Sequence, residues 1–301
     1  MAGAKKNKGT VGIIGLGIMG GAFAKNLSSA GWRVVGYDTN AARRREAVRA
    51  GVEIAGNAAD VAAKVPTILT SLPKPQALMD TVRKIAAAKL PRKLLVEMST
   101  FAISDKEKAA RTLAKAGHQM LDTPVSGTGA QAATRDLVFY ASGDPRHIKR
   151  LKPMFETFGR HIYDVGAFGN GSKMKYVANL LVAINNVASA EALVLGMKAG
   201  LDPQLIYDLI TPGAGNSRIF ELRVPMMVRN NYKNPTMKID IWEKDMQVIG
   251  GYARKIKVPT PMFNASKPIY LKAHNSGLGA QDTASVCAVL EKMAGLKRRK
   301  R

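Results

Sequence analysis

Residues 10–16, Thr-Val-Gly-Ile-Ile-Gly-Leu, form a short apolar run that breaks into glycine, the pattern of a buried strand entering a tight turn. Residues 20–30 then place Phe23, Leu27 and Ala30 near one face of a helix, with Gly31 as its C-terminal stop. A second apolar run at 32–37 ends at Asp38. Helix-compatible spacing at 41–49, 58–63, 75–88 and 104–116 alternates with apolar runs near 52–55, 66–71 and 94–98. Strand and helix in this rhythm predict a parallel sheet with helices on both faces. The pattern changes after Gly171: residues 172–199 are proline-free and rich in Ala, Leu and Val. From Pro203 onward helices are punctuated by Pro and Gly, without a strand pattern.

The turn after the first strand, Gly15-Leu16-Gly17-Ile18-Met19-Gly20, matches G-x-G-x-x-G. The first glycine makes the turn, the second lets a pyrophosphate approach the backbone, and the third lets the helix pack on the strand. The helix N-terminus offers N–H groups and a positive dipole end to phosphates. Asp38, 23 residues after Gly15, stands where a ribose-binding carboxylate belongs. The motif in this context predicts a Rossmann-type, doubly wound dinucleotide domain. The expected organisation is a dinucleotide-binding domain over 1–168, a long connecting helix over 169–199 and an all-helical domain over 200–301. A carboxylate at Asp38 accepts from both ribose hydroxyls and repels a 2′-phosphate, so NAD is the expected cofactor. NADP stays possible, because Arg43, Arg44 and Arg45 lie nearby; an exposed helix face is their simpler reading.

Composition adds constraints. The single cysteine, Cys287, cannot form an internal disulfide and suits a reducing compartment, so a cytoplasmic protein is expected. His118, His147, His161 and His274 are scattered, and no metal site is expected. Lys5, Lys6 and Lys8 before an apolar run ending in Ala22-Phe23-Ala24 mimic a secretory leader, but five glycines within 11–24 oppose it. No segment reaches ~20 uninterrupted apolar residues, so no membrane span is expected. The net charge is +24, with eight of the charges at the ends: Lys5, Lys6, Lys8, Lys297, Arg298, Arg299, Lys300 and Arg301. Without a nucleic-acid motif beside it, this charge reads as a solvated surface that attracts anionic cofactor and substrate rather than as a nucleic-acid interface. The end at 297–301 has no apolar residue to dock it, so its removal is expected to spare fold and turnover.

Four ordered stretches resemble the β-hydroxyacid dehydrogenases, such as 3-hydroxyisobutyrate dehydrogenase and tartronate semialdehyde reductase. The first is the 15–20 motif followed by Asn26-Leu27. The second, Asp122-Thr123-Pro124-Val125-Ser126-Gly127-Thr128, resembles their substrate-binding D-x-P-V-S-G-G stretch. The third, Gly169-Asn170-Gly171-Ser172-Lys173-Met174-Lys175 with Asn179, resembles their catalytic G-x-G-x-x-x-K-x-x-x-N segment. The fourth is Lys244-Asp245, similar to the lysine–aspartate pair of their helical domain, which resembles that of 6-phosphogluconate dehydrogenase.

Read alone, 122–128 is either a plain turn or a loop whose Ser126 hydroxyl and Gly127 and Thr128 amides hold a substrate carboxylate. Lys175 and Asn179 are one turn apart and share a helix face, a stripe that Asn186 continues; Lys173 points elsewhere. The resemblance implies hydride transfer from a small β-hydroxy acid, 3-hydroxyisobutyrate-like, to the nicotinamide. Lys175 would take the hydroxyl proton, Asn179 would orient it, and Lys244 would contact substrate and cofactor. Such a lysine must be desolvated, or near positive charge, to act as a neutral base. Ser99-Thr100 match the family's nicotinamide-side pair, with Thr100 as the cofactor contact, or else cap the following helix. Thr128 stands where the family usually has a second glycine, which points to a larger or more hydroxylated substrate. A homodimer or homotetramer is expected. The alternatives are a semialdehyde (2-hydroxy-3-oxopropionate) reductase on the same fold, and a non-catalytic basic binding module. Imine reductases share the architecture but typically lack a lysine at the place of Lys175.

Overall fold

The computed structural model describes residues 8–298. Lys5, Lys6, Arg299, Lys300 and Arg301 lie outside the described residues. The chain resolves into two compact units, Met1–Lys175 and Tyr176–Arg301.

In the first unit β1 (Thr10–Ile14), β2 (Arg33–Tyr37), β3 (Glu53–Ile54), β4 (Thr67–Thr70), β5 (Leu94–Glu97) and β6 (Gln119–Asp122) form one parallel sheet, in the order β3-β2-β1-β4-β5-β6. Between them run α1 (Ile18–Ser29), α2 (Ala41–Arg49), α3 (Ala58–Lys64), α4 (Pro75–Ala87) and α5 (Ile103–Lys115). Successive strand residues enter opposite layers. Val11, Ile13, Leu69 and Val96 join one apolar cluster, while Ile14, Val35, Ile68 and Leu95 join the other. Burial on both faces is why these strands read as continuous apolar runs. Chain order reverses between β1 and β4, which puts the glycine turn after β1 at the switch point of the sheet. The apparent leader over 11–24 is β1, its turn and the start of α1.

Beyond β6 the unit contains elements the sequence pattern did not reveal. β7 (Val125–Ser126), β8 (Val138–Ala141) and β9 (His161–Asp164) form a second small sheet, antiparallel between β7 and β8 and parallel between β8 and β9. α6 (Gly129–Ala133) and α7 (Pro145–Phe155) flank it. Phe139 and Phe155, with centroids 4.8 Å apart, and Phe158 and Phe23, 5.2 Å apart, seat this sheet against α1. Asn26 donates its amide to the Ala132 carbonyl at 2.7 Å, which joins α1 to α6.

α8 (Asn170–Lys198) begins in the first unit and continues into the second. There α9 (Pro203–Ile210), α10 (Arg218–Val228), α11 (Ile239–Lys255), α12 (Pro261–Ala273) and α13 (Val286–Met293) follow, with no strand among the described residues. α8 is long and apolar enough by length and composition to cross a membrane, with mean hydropathy 1.6 over its most apolar window. It still contains no run of ~20 uninterrupted apolar residues, because Asn179, Asn185, Asn186, Ser189 and Glu191 interrupt it. Asn186 is buried and donates to the Tyr270 hydroxyl at 3.0 Å and the Thr283 carbonyl at 2.9 Å, while Tyr270 donates to the Ala183 carbonyl at 3.0 Å. Asn186 thus fastens the helical unit together.

The C-terminal end also departs from expectation. Arg298 is docked: its guanidinium donates to the carbonyls of Val228 (2.9 Å) and Met227 (2.6 Å) and pairs with buried Glu291. It therefore adds a charged donor to two carbonyls at the end of α10, of which Met227 also accepts from Asn230 N–H at 3.1 Å. An apolar anchor was sought there, and the anchor is ionic. Nearby, burial pushes the Cys287 thiol up to about 12, so it is no nucleophile at neutral pH. Truncation after Gly295 should lower the thermal midpoint, and Arg298→Ala alone should cost about 2–3 kcal/mol, the worth of a charge-assisted set of hydrogen bonds. Thermal unfolding of both variants checks this; an unchanged midpoint would show that the tail contributes nothing.

Candidate active site

The three fingerprint glycines meet different surroundings. Gly15 has φ +91°, and a Cβ on it would lie 2.1 Å from the Ser71 carbonyl oxygen at the end of β4. A Cβ on Gly20 would lie 1.8 Å from the Gly15 oxygen, so only glycine lets α1 pack this closely on its own turn. A Cβ on Gly17 would meet nothing within 4 Å. Gly17 is the N-cap of α1 and supplies no side-chain cap, so the helix start is open for an anion. Gly17 and Ile18 line a cavity of about 440 Å³ shared with Lys25, Arg43 and Arg49. Ile18 is about half exposed, Met19 packs against the core, and the Leu16 side chain is buried. Leu16 contributes its backbone: its N–H donates to Asp38 Oδ2 at 2.7 Å, and Asn40 N–H donates to Oδ1 at 2.7 Å. Both amides fix the carboxylate at the end of β2, and each oxygen keeps further acceptor capacity. The open helix start, bare Gly17 and fixed Asp38 suit the pyrophosphate and ribose of a dinucleotide.

Ser99 and Thr100 follow β5. The Ser99 hydroxyl accepts from Leu72 N–H at 2.9 Å, tying the end of β5 to the loop after β4. The N-cap of α5 is Ala102, which supplies no side-chain cap.

The 122–128 stretch is neither a plain turn nor a fully open loop. Asp122 closes β6, and Val125-Ser126 pair with β8. Gly127 has φ +133°, and a Cβ there would lie 2.5 Å from Leu137 Cδ2. Thr128 is the N-cap of α6 with an extended backbone (φ −116°), which a β-branched residue adopts without strain. Its N–H donates to Gln131 Oε1 at 3.1 Å. That corrects one expectation: the Thr128 amide serves a capping box.

Asp122 also reaches α8. Its Oδ2 accepts from Ser172 N–H at 2.8 Å, its Oδ1 accepts from the Ser172 hydroxyl at 2.9 Å, and Gly171 N–H donates to the Ser142 hydroxyl at 3.0 Å. A Cβ on Gly171 would lie 2.3 Å from the Tyr140 carbonyl oxygen, so this approach requires glycine. Three residues after Ser172, Lys175 is buried at 8% exposure, whereas Lys173 is exposed and donates to Asn170 at 3.0 Å. One turn on, Asn179 is buried and donates to Asp245 Oδ2 at 3.0 Å. Asp245 Oδ1 pairs with Lys244 at 2.9 Å. Asn179, Asp245 and Lys244 therefore form one polar cluster in the helical unit. Asp245, the second residue of the Lys244-Asp245 pair, had no expected site role. Its signal was an acid in the apolar stripe of α11, beside Trp242, Met246 and Ile249.

Comparison with known proteins agrees with this geometry. A family model for the NAD binding domain of 6-phosphogluconate dehydrogenase matches residues 10–166. Another, for the NAD-binding of NADP-dependent 3-hydroxyisobutyrate dehydrogenase, matches residues 169–290. An L-threonate dehydrogenase of Cupriavidus necator is 33% identical over 283 residues, 93% of this chain and 95% of the relative. The 2-(hydroxymethyl)glutarate dehydrogenase of Eubacterium barkeri is 32% identical over 292 residues, 95% and 96% of the two chains. The crystal structure of a 3-hydroxyisobutyrate dehydrogenase from Salmonella typhimurium superposes with a TM-score of 0.84 at 28% identity, covering 93% of this chain and 99% of that one. The chain belongs to the β-hydroxyacid dehydrogenases, NAD(P)-dependent enzymes that transfer a hydride between the cofactor and a small hydroxy acid.

Proposed function

We propose that the chain oxidises a small polyhydroxylated β-hydroxy acid of the threonate kind, with Lys175 as the acid/base group. The observation that carries this reading is a lysine buried to 8% exposure, one helical turn from an asparagine held by Asp245. The C. necator relative, an L-threonate dehydrogenase, supports the substrate class.

In this reading the α1 N-terminus and Gly17 hold the pyrophosphate, Asp38 accepts from the adenosine ribose, and Thr100 borders the nicotinamide. The bound nicotinamide supplies the hydride acceptor. As the hydride leaves the hydroxyl-bearing carbon, neutral Lys175 takes the hydroxyl proton and the carbonyl forms; the protonated lysine then returns its proton to solvent. Asn179, oriented by Asp245, steers that proton transfer. Ser126 and the Gly127 amide hold the substrate carboxylate, and Lys244 adds a positive charge for substrate and cofactor. The buried, disulfide-free Cys287 suits a cytoplasmic setting.

NAD is the preferred cofactor. Arg43 pairs with Glu46 at 2.9 Å, and Arg44 donates to the carbonyls of Asp38 and Thr39, so both have partners other than a 2′-phosphate. A homodimer or homotetramer is the assembly, supported by Leu201, Leu205 and Leu209, which recur every four residues and are about half exposed or more.

NAD reduction should be fastest with threonate in a panel that also holds 3-hydroxyisobutyrate, 3-hydroxypropionate, glycerate, serine and 4-hydroxybutyrate; no turnover with any of them sinks the proposal. Lys175→Ala should lower kcat by ~10²–10⁴, Asn179→Ala by less, and Lys173→Ala should keep most activity. A crippled Lys173→Ala beside an active Lys175→Ala would mean the wrong lysine was chosen. kcat/KM should favour NAD, and Asp38→Ala should erode that preference; a native preference for NADP overturns the ribose assignment. Sedimentation velocity should show a dimer or tetramer at micromolar concentration, and a monomer there refutes the assembly.

A further inference from the structure

Lys106 is the largest buried charge that the proposed chemistry does not use. It lies on the apolar face of α5 with Ala109 and Leu113, and its side chain is 1% exposed. An ammonium has three protons to donate, and here it finds three oxygens. It donates to the Ser99 carbonyl at 2.6 Å and to Asp122 Oδ1 at 2.7 Å, and it forms an ion pair with Glu97 Oε2 at 2.7 Å. Both carboxylates are fully buried. Glu97 Oε1 accepts from Ser99 N–H at 2.9 Å, and the Glu97 carbonyl accepts from Thr123 N–H at 2.8 Å. Burial works against the charge on Lys106, but Asp122 and Glu97 together hold its pKa well above the ordinary lysine range.

Two of the three oxygens belong to residues that head segments with a proposed role in the site. Ser99 opens the segment with Thr100, and Asp122 opens the 122–128 stretch. Asp122 also binds both the N–H and the hydroxyl of Ser172 in the first turn of α8. A carboxylate there suits the positive end of a helix. Lys175 is one turn further on.

We propose that Lys106 is a positioning residue: by neutralising Glu97 and Asp122 it keeps Asp122 on Ser172, and so sets the first turn of α8 and the place of Lys175. The proposal rests on Lys175 as the acid/base group. Without the ammonium, two buried carboxylates face one another and cannot both stay ionised; they share a proton or move apart. Either outcome weakens the hold on Ser172. A shift of about 1 Å in a reacting group is enough to lower turnover by ~10²-fold.

Lys106→Met keeps the length of the side chain and removes its charge. The expected result is kcat per folded enzyme lowered ~10- to 100-fold, with the Kd for NADH, used to count folded sites, within about twofold of native. Lys106→Met combined with Glu97→Gln removes a cation and an anion together and leaves Asp122 ionised against Ser172; it should recover most of the lost kcat. Asp122→Asn removes the charge on the helix cap while keeping its shape, and should lower kcat in the same way without changing NADH affinity. If Lys106→Met does not fold, the double variant and Asp122→Asn decide. Native kcat per site in Lys106→Met or in Asp122→Asn overturns the proposal, as does a double variant no more active than Lys106→Met. An active Lys175→Ala overturns the acid–base reading on its own, by a separate measurement.

Discussion

Two adjacent strands of the first unit, β5 and β6, end in acids that water does not reach, and the interior tolerates them because one ammonium lies between them. Removing one partner of a buried ion set typically costs 3–5 kcal/mol, since the remaining charge has lost its water and gained nothing. This is large against a folding stability of roughly 5–15 kcal/mol. The sheet therefore depends on Lys106 being charged and in place. The consequence is geometric as well as energetic. In a parallel sheet the loops that make a site leave the C-terminal strand ends, and Glu97 and Asp122 are the last residues of two such strands. A tightly bonded charge at that edge gives the loops a rigid base. The start of α8 joins the same base through Ser172.

The alternating half of the fold was legible because burial on both faces turns each strand into an apolar run, and Gly, Asn or Asp marks its ends. Asn40 and Asn57 cap α2 and α3 with their side chains, and Gly31 takes φ +94° beyond α1. The small sheet was illegible for physical reasons. β7 is two residues long, and β9 is mostly exposed, so neither carries a usable period. α6 is five residues, too short for a helical stripe. The helical half was legible as helix, but which faces meet was not. Nothing in the sequence pairs Asn186 with Tyr270, 84 positions away.

The site divides along the same line. Gly15, Gly17, Gly20 and Asp38 could be found because backbone conformation dictates those residue types at those spacings. Lys175 and Asn179, the proposed acid/base pair, came into view through the family resemblance of the 169–179 segment; helix spacing adds only that they share a face. Lys106 could not be found, because a single charge in an apolar stripe is usually solvent-facing, and only tertiary contacts show otherwise; Asp245 was in view as half of the Lys244-Asp245 pair, but its bond to Asn179 was not. Thr128 is a different case. A threonine followed three positions later by Gln131 is a capping-box signature, and it was present in the sequence. Attention to the substrate loop hid a local rule that the structure obeys.

The charge of the chain acts on two scales. With 46 Lys and Arg against 22 Asp and Glu, the chain carries a surplus of cations, many of them exposed. Such exposed charges contribute little one by one. Together they set a positive field that draws an anionic cofactor and an anionic substrate from any direction, and salt screens it over about 10 Å. A field of that kind cannot orient a ligand. Orientation is the proposed task of buried ion sets: Lys106 with its two acids, and Asp245 with Lys244 and Asn179. Long-range attraction is therefore spread over the surface, and geometric control is confined to the interior. The two are separable by residue even in a chain this basic.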